Sequence, residues 1–208
     1  RYACDPLDND NFDRVLVEEF DGYTWRRIIG RGPLPGREAY DVTIVDNLSN
    51  SSVDVLDGIA AIVGRKPEFA NVDCCHYVEL DHLFTTYPDI IGVIHFAASK
   101  AVGESVEKPL LYYRNNICSL VTLIEVMKSH QVQNLVFSSS CTVYGQPDEQ
   151  HLPVDESAPI QKALSPYGNT KQINEEIIQD AAHADKSLNA TILRYFNPIG
   201  AHPSAMIG

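Results

Sequence analysis

The segment Leu135-Val136-Phe137-Ser138-Ser139-Ser140-Cys141-Thr142-Val143-Tyr144-Gly145 opens apolar on both faces and ends in small hydroxyl and turn-forming residues. That pattern is expected of a strand buried in a parallel sheet, with its strand-end loop free for chemistry. A second such run is Gly92 to Phe96, and Asp41 to Val45 and Ala190 to Leu193 read as further strands. A weaker run stands at Tyr77-Val78. Between them, helical spacing marks Val53 to Val63, Leu80 to Tyr87, Pro109 to Ser129 and Pro166 to about Ala184. Strands alternating with helices in this way predict an α/β fold, a doubly wound parallel sheet with helices on both faces.

The chain has 208 residues, 44% of them apolar and 21% charged, which suits one well-buried domain. No apolar run approaches the roughly 20 residues of a membrane span, so no membrane association is expected. Sixteen basic against 28 acidic residues leave a net charge of −12, a field that repels a phosphate backbone and speaks against nucleic acid as a partner. Five cysteines without CxxC or Cys/His spacing argue against a disulfide framework and against a metal site, and point to a reducing cytoplasm. Nothing at the start reads as an export signal. Residues 1 to 37 stand apart: six of the nine arginines lie there, and all seven lysines lie beyond residue 65. This atypical segment is expected to be disordered or an artefact of the reading frame, with the sheet confined to residues 38 to 208.

Three strand ends carry unusual residues. After the first clear strand comes Asp46-Asn47-Leu48-Ser49-Asn50-Ser51, where a carboxylate is placed to accept from ribose hydroxyls and disfavours a 2′-phosphate. Asp46 serves equally well as a helix N-cap or Asx-turn residue. After the second comes His95-Phe96-Ala97-Ala98-Ser99-Lys100, whose small residues permit close approach of a pyrophosphate; His95 itself reads as a buried core histidine. The third is the serine-rich end at Ser140, followed by Ser165-Pro166-Tyr167-Gly168-Asn169-Thr170-Lys171.

Ser165 suits a helix cap and Pro166 a first turn, so Tyr167 and Lys171 fall at i and i+4 on one helix face. A free tyrosine ionises near pH 10, and bringing it near neutrality requires about 3 pH units, or about 4 kcal/mol. An ammonium one turn away and a cationic nicotinamide ring are the groups expected to supply that in a low-dielectric cleft.

Together these stretches resemble the extended short-chain dehydrogenase/reductase superfamily and, within it, closely the UDP-glucose 4-epimerases. The matching strings are YDVTIVDNLSNSS (residues 40 to 52), HFAASKAVGES (95 to 105), KPLLYYRNN (108 to 116), SSSCTVYG (138 to 145), SPYGNTK (165 to 171) and RYFNPIGAHP (194 to 203). The resemblance implies a Rossmann-like domain that holds NAD. It implies Tyr167 as catalytic base, Lys171 as the residue that lowers its pKa and bonds the nicotinamide ribose, and Ser140 as their hydrogen-bonding partner at the substrate. It also implies cofactor contacts at Asp46, Asn47, Leu48, Ser49, Asn50 and Ser51, at Asp73 and Cys74 beside the adenine, and at Phe96, Ala97, Ala98, Ser99, Lys100, Asn115 and Phe196. Asn197 matches a residue that touches the UDP-sugar. The implied activity is NAD-dependent isomerisation, the interconversion of UDP-glucose and UDP-galactose in galactose metabolism, carried out in the cytoplasm by a homodimer.

The usual first strand and glycine-rich turn are not legible, since Pro33 and Pro35 interrupt Gly30, Gly32 and Gly36, and the C-terminal substrate domain is expected to be mostly absent. The chain alone is therefore expected to be poorly active. A nucleotide-sugar 4,6-dehydratase is the alternative enzyme, but acidic residues are expected after the strand-end serine, where Cys141 and Thr142 stand. An inactive dinucleotide-binding fragment is the alternative outside catalysis.

Overall fold

The computed structural model describes residues 42 to 197 and 202 to 206. In chain order the elements are β1 (Thr43–Asp46), α1 (Val55–Val63), β2 (Glu68–Asn71), α2 (Tyr77–Thr86), β3 (Gly92–His95), α3 (Val102–Glu107), α4 (Pro109–Ser129), β4 (Asn134–Ser140), α5 (Pro166–Ala184) and β5 (Asn189–Tyr195). Short 3-10 turns follow β4 at Cys141–Tyr144 and Glu149–His151. Strand β1 pairs with β2, while β3, β4 and β5 form a parallel sheet with β4 in the middle. Gly92 lies opposite Asn134 and Ser140 opposite Tyr195, so all three strands of that sheet end at one edge. The alternation of strands and helices is the Rossmann-like α/β fold. The described residues form two compact units, one of 42–44, 48–70, 197 and 202–206, the other of 45–47 and 71–196.

In the larger unit, α4 is the packing spine. Pro109 occupies its first turn, and Tyr112, Leu120, Leu123, Val126 and Met127 are buried along it. Helix α4 packs against α2 and α5, and Leu80, Leu83 and Phe84 of α2, Leu135 and Phe137 of β4 and Ile178 of α5 are buried as well. Each such side chain contributes about 1.5–3 kcal/mol on full burial. His130 Nε2 lies 2.8 Å from Asp81 Oδ1, and the His130 ring leans on Phe84, which pins the end of α4 to α2.

Helices α4 and α5 have the predicted bounds, because each starts at a proline that suits the first turn. The strand expected at Tyr77-Val78 is instead the start of α2. Both side chains are exposed, so an apolar pair there buries nothing, and an Asx turn at Asp73, whose Oδ1 accepts from Cys75 N at 2.8 Å, leads into the helix. Strand β2 replaces it, formed by Glu68-Phe69-Ala70-Asn71, whose single large apolar residue leaves no periodic signal. Asp46 ends β1, where the strand-end carboxylate is expected, and the N-cap of α1 is Asp54, so Asp46 does not cap that helix. The expectations for residues 1 to 37, the glycine-rich turn among them, lie outside the described residues.

Candidate active site

Strand β4 ends in three serines. Ser140 Oγ accepts from Thr142 N at 3.3 Å and from Thr142 Oγ1 at 3.0 Å, which turns the chain sharply into the 3-10 helix. Helix α5 begins beside this turn. Ser165 caps it by accepting from Gly168 N at 3.1 Å, and a Cβ on Gly168 would stand 3.3 Å from both Thr142 Cβ and Thr142 O. The missing side chain thus lets the first turn of α5 lie against the end of β4.

Tyr167 and Lys171 share one face of that helix, as their spacing predicts. Lys171 Nζ lies 5.9 Å from the Tyr167 ring centroid and 4.8 Å from that of Phe137, and it donates to Ser138 O at 2.6 Å. Burial lowers the Lys171 pKa to about 8, with Glu175 pulling the other way. At pH 7 about nine in ten of these amines still carry a proton. The Tyr167 phenol, taken without a nicotinamide charge, lies above its ordinary value. Burial raises its pKa, a hydrogen bond with Ser140 lowers it, and Cys141 raises it, for a net rise. Desolvation is the largest of these influences, and the Lys171 ammonium beside the ring donates to Ser138 O. His95, 4% exposed, is the core histidine expected; burial and then Lys171 push its pKa down to about 3.

The remaining predicted contacts of this unit fall into two groups. Near the end of β1, Asn47 Nδ2 donates to Asp73 Oδ2 at 3.0 Å. Burial opposes ionisation of Asp73, but the Cys75 N–H and Asn47 bonds prevail and hold its pKa below the ordinary carboxylate value. The neighbouring thiols stay protonated, Cys74 pushed up to about 11 and Cys75 to about 12, chiefly by burial and then by Asp73. In the second group, the loop Phe96 to Lys100 meets α4. Asn115 Nδ2 donates to Ser99 Oγ at 3.1 Å, Phe96 packs on Tyr195 with ring centroids 6.1 Å apart, and Lys100 and Phe196 are exposed. Leu48, Ser49, Asn50, Ser51 and Asn197 belong to the smaller unit. The donor set fits a dinucleotide: carboxylates and an asparagine for ribose and base, small residues for a pyrophosphate, and a hydroxyl, phenol and amine at the sheet edge.

Sequence reasoning missed the groups that hold this set in place. Asn116 Oδ1 accepts from Ser99 N at 2.8 Å, and Asn116 Nδ2 donates to Ser99 O at 3.0 Å and to Thr170 Oγ1 at 3.1 Å, while Asn174 Nδ2 donates to Asn116 O at 2.9 Å. Glu175, 1% exposed, is gripped by Arg194 and accepts from Ser139 Oγ. The available signal was Glu175 one helical turn past Lys171, a carboxylate on an otherwise committed face.

The family model described as "NAD dependent epimerase/dehydratase family" matches residues 23–207. The UDP-glucose 4-epimerase of Schizosaccharomyces pombe is 50% identical over 173 residues, 82% of this chain and 48% of that protein. That of Dictyostelium discoideum is 45% identical over 204 residues, 98% of this chain and 56% of that protein. Among solved structures, UDP-glucose 4-epimerase from Bifidobacterium longum in complex with NAD+ and UDP superposes with a TM-score of 0.78 at 44% identity, covering 81% of this chain and 50% of that one. The chain spans about half the length of the curated relatives it matches.

Proposed function

The chain belongs to the NAD dependent epimerase/dehydratase family, and from that membership we propose that the protein carrying it interconverts UDP-glucose and UDP-galactose by transient oxidation at sugar C4. The observation that carries the proposal is the convergence of Ser140, Tyr167 and Lys171 at the carboxyl end of β4. When bound, NAD supplies the two-electron acceptor and donor for C4 and brings a positive ring charge to the site. Tyr167 takes the proton of the 4-hydroxyl and later returns it. Ser140, already hydrogen-bonded to the phenol, donates to the sugar oxygen as charge develops there. Lys171 stands under Tyr167 as a largely protonated amine, and favours the ionised phenol when a second positive charge is added. Asp46, Asn47, Asp73 and Cys74 are proposed to hold the adenosine end, with Leu48 to Ser51 as further contacts. Phe96 to Lys100, Asn115 and Phe196 are proposed to hold the rest of the cofactor, and Asn197 to touch the UDP-sugar.

A homodimer is proposed from the apolar side chains that α4 leaves exposed, Leu110 at 79%, Leu111 at 49% and Val121 at 37%. The cytoplasm is proposed as the compartment, with Cys74, Cys75, Cys118 and Cys141 as free thiols in support. The test is conversion of UDP-galactose to UDP-glucose by the purified full-length protein that carries this chain, with NAD, read through a UDP-glucose dehydrogenase. Steady product formation is expected; a folded, NAD-loaded protein without turnover would overturn the assignment.

A further inference from the structure

We propose that Glu175 is a positioning residue for the Tyr167/Lys171 face of α5: held by Arg194 and Ser139, its carboxylate fixes the register of that face on the end of β4 and places a negative charge one turn from the Lys171 amine. The role rests on the epimerase reading above and deepens it.

Residues 167, 171 and 175 form one stripe along α5, and each meets a different one of three successive residues of β4. The Tyr167 phenol interacts with Ser140, Lys171 Nζ donates to Ser138 O at 2.6 Å, and Ser139 Oγ donates to Glu175 Oε1. Ser139 lies opposite Arg194 in the pairing of β4 with β5, so a single carboxylate ties the helix to two neighbouring strands. Arg194 Nε donates to Glu175 Oε1 at 3.1 Å and Oε2 at 3.3 Å, and Nη2 donates to Oε2 at 2.7 Å. Its Nη1 donates to Tyr144 OH at 3.1 Å, which extends the tie to the turn directly after Ser140. A forked grip of this kind fixes direction as well as distance.

A buried ion pair is a poor way to gain stability alone, because well-packed apolar residues do as well or better. Its place beside a buried amine gives it a use that an apolar pair lacks. The groups facing Lys171 are Tyr167 and Glu175 on α5 and His95 on β3, with Arg194 on β5 and Tyr144 and Cys141 on the 3-10 turn behind them. His95 is held neutral by burial, which leaves Glu175 as the anion of this group.

The test follows the titration of the Lys171 amine by NMR on protein labelled with 13Cε-lysine, beside the pH profile of kcat/KM. Glu175→Gln is expected to move the amine titration and the alkaline limb of the profile down together, by about half a pH unit or more, at least about threefold in proton affinity. Arg194→Lys keeps a cation but gives up the forked grip, leaves Glu175 less neutralised, and is expected to move both upward. If both variants fold, melt earlier and leave the amine titration in place, the pair is structural only and the proposal is overturned. Should Glu175→Gln fail to fold, the direction found in Arg194→Lys decides. Should the protein not turn over UDP-galactose, the epimerase reading falls, and the NMR titration still decides whether Glu175 acts on the amine.

Discussion

Replacing Lys171 with methionine removes a buried amine whose proton is held less tightly in the folded chain than in the unfolded one. The folded pKa is about 8 against an ordinary value of 10.5, because burial disfavours the charge. Between those values the unfolded chain keeps a proton that the folded chain has released, so the contribution of this residue to stability rises with pH through that window. At pH 7 the mismatch costs about 3 kcal/mol, and by pH 9 about 2 kcal/mol, a recovery of about 1 kcal/mol. Lys171→Met carries no such proton, whatever it gains from lost desolvation or forfeits with the bond to Ser138 O. Urea unfolding of both proteins at several pH values from 7 to 9 reads the difference directly. The gap between variant and wild type is expected to shift by about 1 kcal/mol in favour of wild type over that range. Two parallel curves would show that Lys171 titrates in the folded chain as it does in water, and the account of its burial would be refuted.

Tyr167→Phe removes the proposed proton acceptor and is expected to lower kcat by about 10²–10⁴-fold while leaving NAD binding near wild type, as measured by turnover and by cofactor fluorescence. Arg194→Met leaves the Glu175 carboxylate, whose side chain is 2% exposed, without its cationic partner and is expected to cost about 3–5 kcal/mol. Glu175→Gln leaves the better-hydrated guanidinium, 19% exposed, and is expected to cost less; calorimetry or urea midpoints giving the reverse order would contradict this. Gly145 has φ +61°, and a Cβ there would stand 2.6 Å from Lys162 O, so Gly145→Ala is expected to destabilise by about 1–3 kcal/mol in the same measurement.

The parts of the fold that announce themselves in the sequence are those where punctuation and periodicity agree. Lys108-Pro109 and Ser165-Pro166 mark the starts of α4 and α5, and long amphipathic patterns carry both helices to their observed ends. Strand β2 and helix α3 are short and lack a periodic apolar face, so only pairing and packing create them. Tyr77-Val78 shows the converse, two strand-favouring residues at a helix start where neither is buried. In the site, Tyr167 and Lys171 are legible because both lie on one helix and their spacing fixes their relation. Asn116, Glu175 and Arg194 are not, because their meaning depends on partners 17 to 58 residues away in the chain.

The Asn116 carboxamide ties the loop after β3, through the N–H and C=O of Ser99, to α5 through Thr170, while the main-chain carbonyl of Asn116 accepts from Asn174 Nδ2. A latch of this design has no half-open setting. Loosening the loop breaks the same amide's hold on the helix that bears Tyr167 and Lys171, so amide hydrogens on both sides of the latch are expected to exchange with solvent in a single cooperative event.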